Sequence, residues 1–308
     1  MNQDSHPKPI GLIGIGLVGA ALAERLLAHG HDVIGYDIAP PQCDRLRQLG
    51  GRAADSPRHV AEAVDDLLLS LPDTNVVRHV IEGPSGVLAA QRTPAYIIDT
   101  TTGDPNETAE LAARLAQQGC HFLDATISGA SSQVRTGDVV IMVGGAPDAF
   151  QQCEALLNTL AKRIFYMGPS GCGSKTKLAT NLVLGLNRLA LAEGLVFAEK
   201  LGLDPDAFLD VLRAGPAYSV AMDVKGRKML EGDFTPQSRI RQHRKDVSLI
   251  LQYARAQNQD LPLSHAHFDI LDSAIAAGDG DLDTAAVLKE VRRRTIATDR
   301  DNPKDTQP

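Results

Sequence analysis

Ile10-Gly11-Leu12-Ile13-Gly14-Ile15-Gly16-Leu17-Val18-Gly19 is the stretch on which the reading of this chain turns. The first four residues form a short apolar run of the kind buried on both faces in a parallel sheet. Three glycines follow at the spacing Gly-x-Gly-x-x-Gly, and a helical pattern then runs from about Val18 to His29. The first glycine permits a tight turn, the second lets the backbone approach a pyrophosphate, and the third lets helix and strand pack closely. The helix start offers N–H groups and a positive dipole end to phosphates. The same spacing also occurs in ordinary glycine-rich turns. What gives it weight is Asp37, 18 residues after Gly19 at the end of the next apolar run, Asp32 to Tyr36. A carboxylate there accepts hydrogen bonds from both ribose hydroxyls of NAD and repels the 2′-phosphate of NADP. No Arg stands among Ile38, Ala39 and Pro40, so NAD is expected over NADP. Arg45 and Arg47 are the residues that would bind a phosphate if the following loop folded back.

Outward from this block, short apolar runs alternate with helical patterns. Asp66 to Ser70, Tyr96 to Asp99, Phe122 to Ala125, Val139 to Val143 and Ile164 to Tyr166 read as strands. Helices are expected from Pro105 to Gln118 and from Pro147 to Leu160. This alternation predicts a mainly parallel sheet covered on both faces. After Gly168-Pro169 the pattern changes. Gly173 to Leu201 contains no Pro and repeats apolar residues at helical spacing, which predicts one long helix. Helical stretches continue to about Arg294, broken at Gly202, Pro205, Gly215, Pro236, Pro262 and Gly278. The expected organisation is an α/β fold with an N-terminal Rossmann doubly wound sheet over 1–168. An all-α C-terminal domain follows over 169–297, with a disordered polar tail over 298–308.

With 308 residues, 43% hydrophobic and 22% charged, the chain has the composition of an ordinary globular protein of about two domains. A net charge of −7 gives no general attraction to nucleic acid or an anionic membrane. The basic clusters Arg239 to Lys245 and Arg292 to Arg294 read as solvated helix faces, Lys245 excepted. The polar start lacks a secretory signal pattern, and no apolar run is read as long enough to cross a bilayer. Cys43, Cys120, Cys153 and Cys172 are scattered, which suits a reducing cytoplasm.

Chemistry is suggested at Gly171-Cys172-Gly173-Ser174-Lys175-Thr176-Lys177-Leu178-Ala179-Thr180-Asn181. Lys177 and Asn181 are four apart and project from one helix face, and Gly185 continues that face without a side chain. A lysine there serves as acid or base if burial lowers its pKa from about 10.4 toward about 7–8. On spacing alone, a solvated lysine near a helix start is the slightly favoured reading. Three other signals are set aside. Asp279-x-Asp281-x-Asp283 with Glu290 has calcium-loop spacing, but Thr284 stands where the turn needs Gly; a helix cap by Asp283 or Thr284 is expected instead. His265-x-His267 lacks a third ligand, so no metal is expected. Asn106-x-Thr108 matters as a glycosylation sequon only in a secreted protein.

Taken together, these blocks resemble the β-hydroxyacid dehydrogenases, a family that includes 3-hydroxyisobutyrate dehydrogenase and tartronate semialdehyde reductase. The resemblance runs from about Ile10 to Arg294. Besides the glycine turn, Asp124-Ala125-Thr126-Ile127-Ser128-Gly129-Ala130 resembles the family's substrate motif, Asp-Ala-Pro-Val-Ser-Gly-Gly. Gly171-x-Gly173-x-x-x-Lys177-x-x-x-Asn181 matches its catalytic motif, and Lys245-Asp246 its Lys-Asp pair. The resemblance implies that Lys177 is the catalytic acid/base and that Asn181 orients the substrate. It implies that Ser128, Gly129 and Ala130 bind the substrate's carboxylate. Gly14, Gly16, Leu17, Val18, Gly19, Asp37, Leu71, Pro72, Val76, Thr102 and Lys245 would contact the cofactor. Thr126 and Ala130 depart from the motif, and Ser131-Ser132-Gln133 continues it unusually, all where substrate choice is made. The expected reaction is hydride transfer between NAD and a small 3-hydroxy carboxylate, meeting in a cleft between domains. A homodimer or homotetramer is expected, without nucleic-acid or membrane partners. Imine reduction and non-catalytic NAD-binding regulation are the rival readings, and both leave Lys177 without a purpose.

Overall fold

The structure, a computed structural model, describes residues 8–294. The tail expected over 298–308 lies outside the described residues. By compactness the chain divides into two units, Met1–Asn181 and Leu182–Pro308.

The first unit alternates strand and helix: β1 (Ile10–Ile13), α1 (Leu17–Ala28), β2 (Val33–Tyr36), α2 (Pro40–Gln48), β3 (Arg52–Ala53), α3 (Pro57–Ala63), β4 (Asp66–Leu69) and α4 (Thr74–Glu82). It continues through β5 (Tyr96–Asp99), α5 (Pro105–Ala116), β6 (His121–Ser128), α6 (Ser131–Thr136), β7 (Val140–Gly144), α7 (Pro147–Leu160) and β8 (Arg163–Gly168) into α8 (Cys172–Lys200). The sheet order is β3-β2-β1-β4-β5-β6-β7-β8, parallel except for the antiparallel pair β6–β7. This is a Rossmann sheet extended at one edge. The order reverses between β1 and β4, where such sheets open a crevice at the strand ends.

Successive strand residues supply opposite faces of the sheet. Leu12, Leu68, Ile98 and Leu123 join one buried cluster with Leu22 of α1 and Leu157 of α7. Ile13, Leu67, Leu69, Ile97 and Phe122 join another with Val60 of α3 and Leu111 of α5. Helix starts follow their residues. Ser56, Asp73 and Asp104 each accept a backbone N–H of the helix they precede. Pro57 and Pro105 occupy first-turn positions that need no N–H. Two elements went unread in the sequence. β3 is a two-residue edge strand, and α6 is a short polar helix burying only Ser131 and Val134. β6 also extends three residues past Ala125, so the substrate-like motif is largely strand.

The second unit comprises the later turns of α8, then α9 (Pro205–Ala214), a π-helical turn at Met222–Gly226, α10 (Arg227–Glu231), α11 (Ile240–Ala256), α12 (Pro262–Ala276), a 3-10 turn at Thr284–Ala286 and α13 (Val287–Arg293). Leu189, Leu195, Leu209, Met229, Val247, Leu271 and Val287 form its core. By length and composition α8 is apolar enough to span a membrane, which corrects the expectation that no run approaches that length. It is a core helix here, with Leu189, Leu191, Ala192 and Leu195 buried. The acidic run is structural. Asp283 accepts from the Ala285 N–H as a cap and from Lys225 Nζ at 2.7 Å, with both side chains buried. Asp279 pairs with Lys289 and Arg293. Gly185 does admit a close neighbour, and it is protein: a Cβ there would lie 2.5 Å from His243 Nε2 and 2.6 Å from His267 Cε1. His267 is a packed histidine, its ring against that of His243 at 5.2 Å, while His265 lies at the surface.

Candidate functional site

The three glycines of the first turn answer to three different constraints. Gly14 has φ +90°, and a Cβ there would lie 2.2 Å from the Ser70 carbonyl oxygen. At Gly19 a Cβ would meet the Gly14 oxygen at 1.9 Å, so helix and turn touch backbone to backbone. Gly16 is different, because nothing of the protein lies within 4 Å of where its Cβ would stand. Protein packing gives no reason for glycine at that point, whereas close approach of a phosphate group does. Gly16 is the N-cap of α1 without a side-chain cap, and no acidic residue follows in the first turn, so the N–H groups at Leu17 and Val18 begin an uncapped, dipole-positive end. The residues fit a dinucleotide.

Asp37 sits just beyond β2. Its Oδ2 accepts the Ile15 N–H at 2.7 Å, and its Oδ1 accepts the Ala39 N–H at 2.8 Å. The carboxylate therefore pins the glycine turn to the second strand, and each oxygen retains a lone pair for a further donor. Arg45 pairs with Glu24 at 3.3 Å, and Arg47 with Asp44 at 2.6 Å.

The loops after β4 and β5 are stitched together. The Leu71 N–H donates to Thr101 Oγ1, the Thr100 hydroxyl to the Leu69 carbonyl, and the Asp104 N–H to Thr74 Oγ1. These bonds fix the backbone around Leu71-Pro72 and Thr102. Val76 lies in the first turn of α4, its N–H held by Asp73.

β6 and α8 meet through backbone. The first turn of α8 sits so close to the sheet that a Cβ at Gly173 would lie 2.2 Å from the Asp124 oxygen and 2.6 Å from the Met142 oxygen. Gly171 has φ +90° with the Pro105 oxygen beside it. These contacts explain the two glycines of Gly171-x-Gly173. Asp124, 1% exposed, accepts the Gly171 N–H on one oxygen at 2.9 Å and the Ser174 N–H on the other at 2.8 Å. Burial pushes its carboxyl above the usual range, against the lowering by those two N–H groups. Thr126, in the position of the usual Pro, donates to the Gly173 carbonyl at 3.0 Å. Neither tie is visible in the sequence, because the partners lie 47 to 50 residues apart.

Lys177 and Asn181 then follow on one face of α8, both buried, with 8% and 4% exposure. Ser128 ends β6, partly exposed. Gly129 has φ +150°, with Val139 2.5 Å from its would-be Cβ. The Ala130 N–H donates to Gln133 Oε1, closing the loop into α6, which gives the unusual continuation a structural purpose. In the helical unit Lys245 lies on α11, with Nζ 3.1 Å from Asp246 Oδ1. Its neighbour Arg244 forks onto Asp272 and covers the Phe268 ring.

Comparison with known proteins agrees with this arrangement. Residues 9–168 match the model of the NAD-binding domain of 6-phosphogluconate dehydrogenase. Residues 171–291 match that of the NAD-binding region of NADP-dependent 3-hydroxyisobutyrate dehydrogenase. The chain is 32% identical over 281 residues to 2-(hydroxymethyl)glutarate dehydrogenase of Eubacterium barkeri, covering 91% of this chain and 93% of that protein. It is 33% identical over 280 residues to 2-hydroxy-3-oxopropionate reductase of Escherichia coli strain K12, with 91% and 96% covered. The crystal structure of 3-hydroxyisobutyrate dehydrogenase from Salmonella typhimurium superposes with a TM-score of 0.83 at 28% identity, over 92% of this chain and 99% of that one. The chain belongs to the β-hydroxyacid dehydrogenase family. It is an NAD(P)-binding oxidoreductase that acts on CH–OH groups.

Proposed function

We propose that the protein oxidises a small 3-hydroxy carboxylate to its aldehyde or ketone, or runs the reverse reduction, with Lys177 as acid/base. The observation that carries this reading is the placement of Lys177 and Asn181. Both are buried on one face of α8, and that helix's first turn is tied to the strand that ends in Ser128. The bound nicotinamide supplies the hydride acceptor. Neutral Lys177 takes the hydroxyl proton during oxidation, and its ammonium returns one to the alkoxide during reduction. Asn181 orients the hydroxyl-bearing carbon, and the Ser128 hydroxyl with the Gly129 and Ala130 N–H groups holds the carboxylate. The relatives named for hydroxymethylglutarate and hydroxyoxopropionate support a substrate bearing a carboxylate and a hydroxyl or aldehyde. Retention of Lys177 weighs against imine reduction and against a purely regulatory role.

NAD is the preferred cofactor. Gly14, Gly16 and Gly19 with the Leu17 and Val18 N–H groups hold the pyrophosphate. Asp37 holds the ribose diol, and Leu71, Pro72, Val76, Thr102 and Lys245 contribute the remaining contacts. Arg45 pairs with Glu24 and Arg47 with Asp44 at the surface, so a 2′-phosphate would have to draw either arginine out of an ion pair, a small addition to the Asp37 preference. The protein works in the cytoplasm as a homodimer or homotetramer, a reading supported by exposed Val183 and Phe197 on α8 and Leu201 just after it.

The test is a screen of small hydroxy acids with NAD and NADP, followed by the absorbance of the reduced cofactor. Turnover of 3-hydroxy acids is expected, with kcat/KM about 100-fold higher for NAD, a ratio that needs only about 2.7 kcal/mol from the Asp37 hydrogen bonds. Equal values for the two cofactors would remove the NAD preference, and no turnover of any hydroxy acid would remove the reaction.

A further inference from the structure

Asp124, Thr126 and Ser128 alternate along β6 and so share one face of the sheet, opposite Leu123, Ala125 and Ile127, which face the cluster beneath α1 and α7. Asp124 and Thr126 both reach the first turn of α8. The former accepts the N–H of Gly171, just before the helix, and that of Ser174 within its first turn, and the latter donates to the Gly173 carbonyl. Lys177 follows Ser174 by three residues, one helical turn on. An uncapped helix start concentrates roughly half a positive charge on its free N–H groups and disfavours a nearby ammonium. A carboxylate bonded to those same groups offsets that charge.

From this we infer that Asp124 is a positioning residue, and that it acts on the acid/base chemistry assigned to Lys177 in two ways. It fixes the first turn of α8 against β6, and its negative charge offsets the helix start and so holds Lys177's protonation equilibrium where it is. The inference rests on the reading of Lys177 as acid/base. Around Asp124 stand the Gly171 and Ser174 N–H groups, the Ser174 hydroxyl and the Gly144 backbone. On β5, Asp99 lies opposite in register and accepts the Thr101 N–H. On β7 the residue opposite Asp124 is the uncharged Gly144, and on α5 uncharged Pro105 and Ala109 lie beside Gly171. The other ionisable side chains on the first turns of α8 are Cys172, exposed Lys175 and Lys177 itself.

The experiment is the pH profile of kcat for alcohol oxidation in the whole enzyme, comparing wild type, Asp124→Asn, Asp124→Glu and Lys177→Ala. Oxidation needs neutral lysine, so activity rises with pH through the lysine's pKa. Removing the anion that offsets the helix start disfavours the ammonium one turn on, and the acidic limb of Asp124→Asn should therefore move to lower pH by about 0.5–1 unit. Its kcat should fall about tenfold, with the KM for cofactor within about twofold. Asp124→Glu keeps the charge but moves the carboxylate, so its kcat should fall at least about fivefold with the limb unmoved. A folded Asp124→Asn with an unmoved limb overturns the electrostatic role. If that variant does not fold, Asp124→Glu decides the positioning role, and an unchanged kcat overturns it. Loss of activity in Lys177→Ala keeps these outcomes separate from the underlying reading, which fails if that variant remains active.

Discussion

His267 shows how a single side chain in the helical unit couples burial to pH. At 2% exposure its ring packs on His243, and its pKa is lowered to about 4, first by burial and then by the Arg188 guanidinium. An unfolded histidine takes up its proton near pH 6.5, whereas the folded one resists protonation until about pH 4. The unfolded state therefore binds more protons between those values, and stability falls as pH drops through that window. The loss reaches roughly 3 kcal/mol at its lower end. Asp279, Asp281 and Asp283 have carboxyls held below the usual range, so their contributions are lost further down the scale. Denaturant titrations followed by circular dichroism at several pH values should show this slope for the wild type and a flatter one for His267→Gln. Equal slopes in the two proteins would mean that His267 protonates as readily folded as unfolded.

At the scale of elements, what the sequence disclosed depended on how local the cause was. β1, β4 and β5 were legible because a strand buried on both faces reads as an unbroken apolar run, as in Leu67-Leu68-Leu69. α8 was legible from its uninterrupted helical spacing. β3 carries no such pattern, since Arg52 and Ala53 pair only at the sheet edge. α6 is polar on nearly every side; Val134 anchors it in the core, and Gln133 bonds back to the Ala130 N–H. The motif Gly171-x-Gly173 was visible as letters, but its reason was not. Gly173 is small because α8 lies on the backbone of β6 and β7, and Gly171 because it turns at φ +90° against the Pro105 oxygen of α5, contacts made by residues far apart in the chain. Gly173→Ala would thrust a methyl group into two carbonyl oxygens and lift the first turn away from Asp124. We expect a loss of about 1–3 kcal/mol or more in unfolding free energy, with kcat reduced because Lys177 moves with the helix. Gly16→Ala, which meets no protein atom, should leave stability unchanged, and similar destabilisation by both changes would contradict this account.

At the scale of the molecule, the chain joins a dinucleotide-type sheet to a helical unit through one helix, and the division between the units falls within that helix, after Asn181. The glycine turn, Asp37 and the block from Gly171 to Asn181 could be picked out in the sequence because each is a compact cluster of residues. Asp124, the Lys225–Asp283 pair and the packing of Gly185 against two histidines could not, because each is made by segments distant in sequence. The central claim is that proton transfer belongs to Lys177 and to no neighbouring lysine. Lys175, two residues earlier, is exposed and gives a matched control. Steady-state kinetics of Lys177→Ala and Lys175→Ala on the best hydroxy acid, with cofactor binding measured separately, test the claim directly. Lys177→Ala should lose about 10²–10⁴ in kcat while binding cofactor nearly as before, and Lys175→Ala should stay within about threefold of wild type. Near-normal turnover in Lys177→Ala, or the larger loss in Lys175→Ala, would contradict the account.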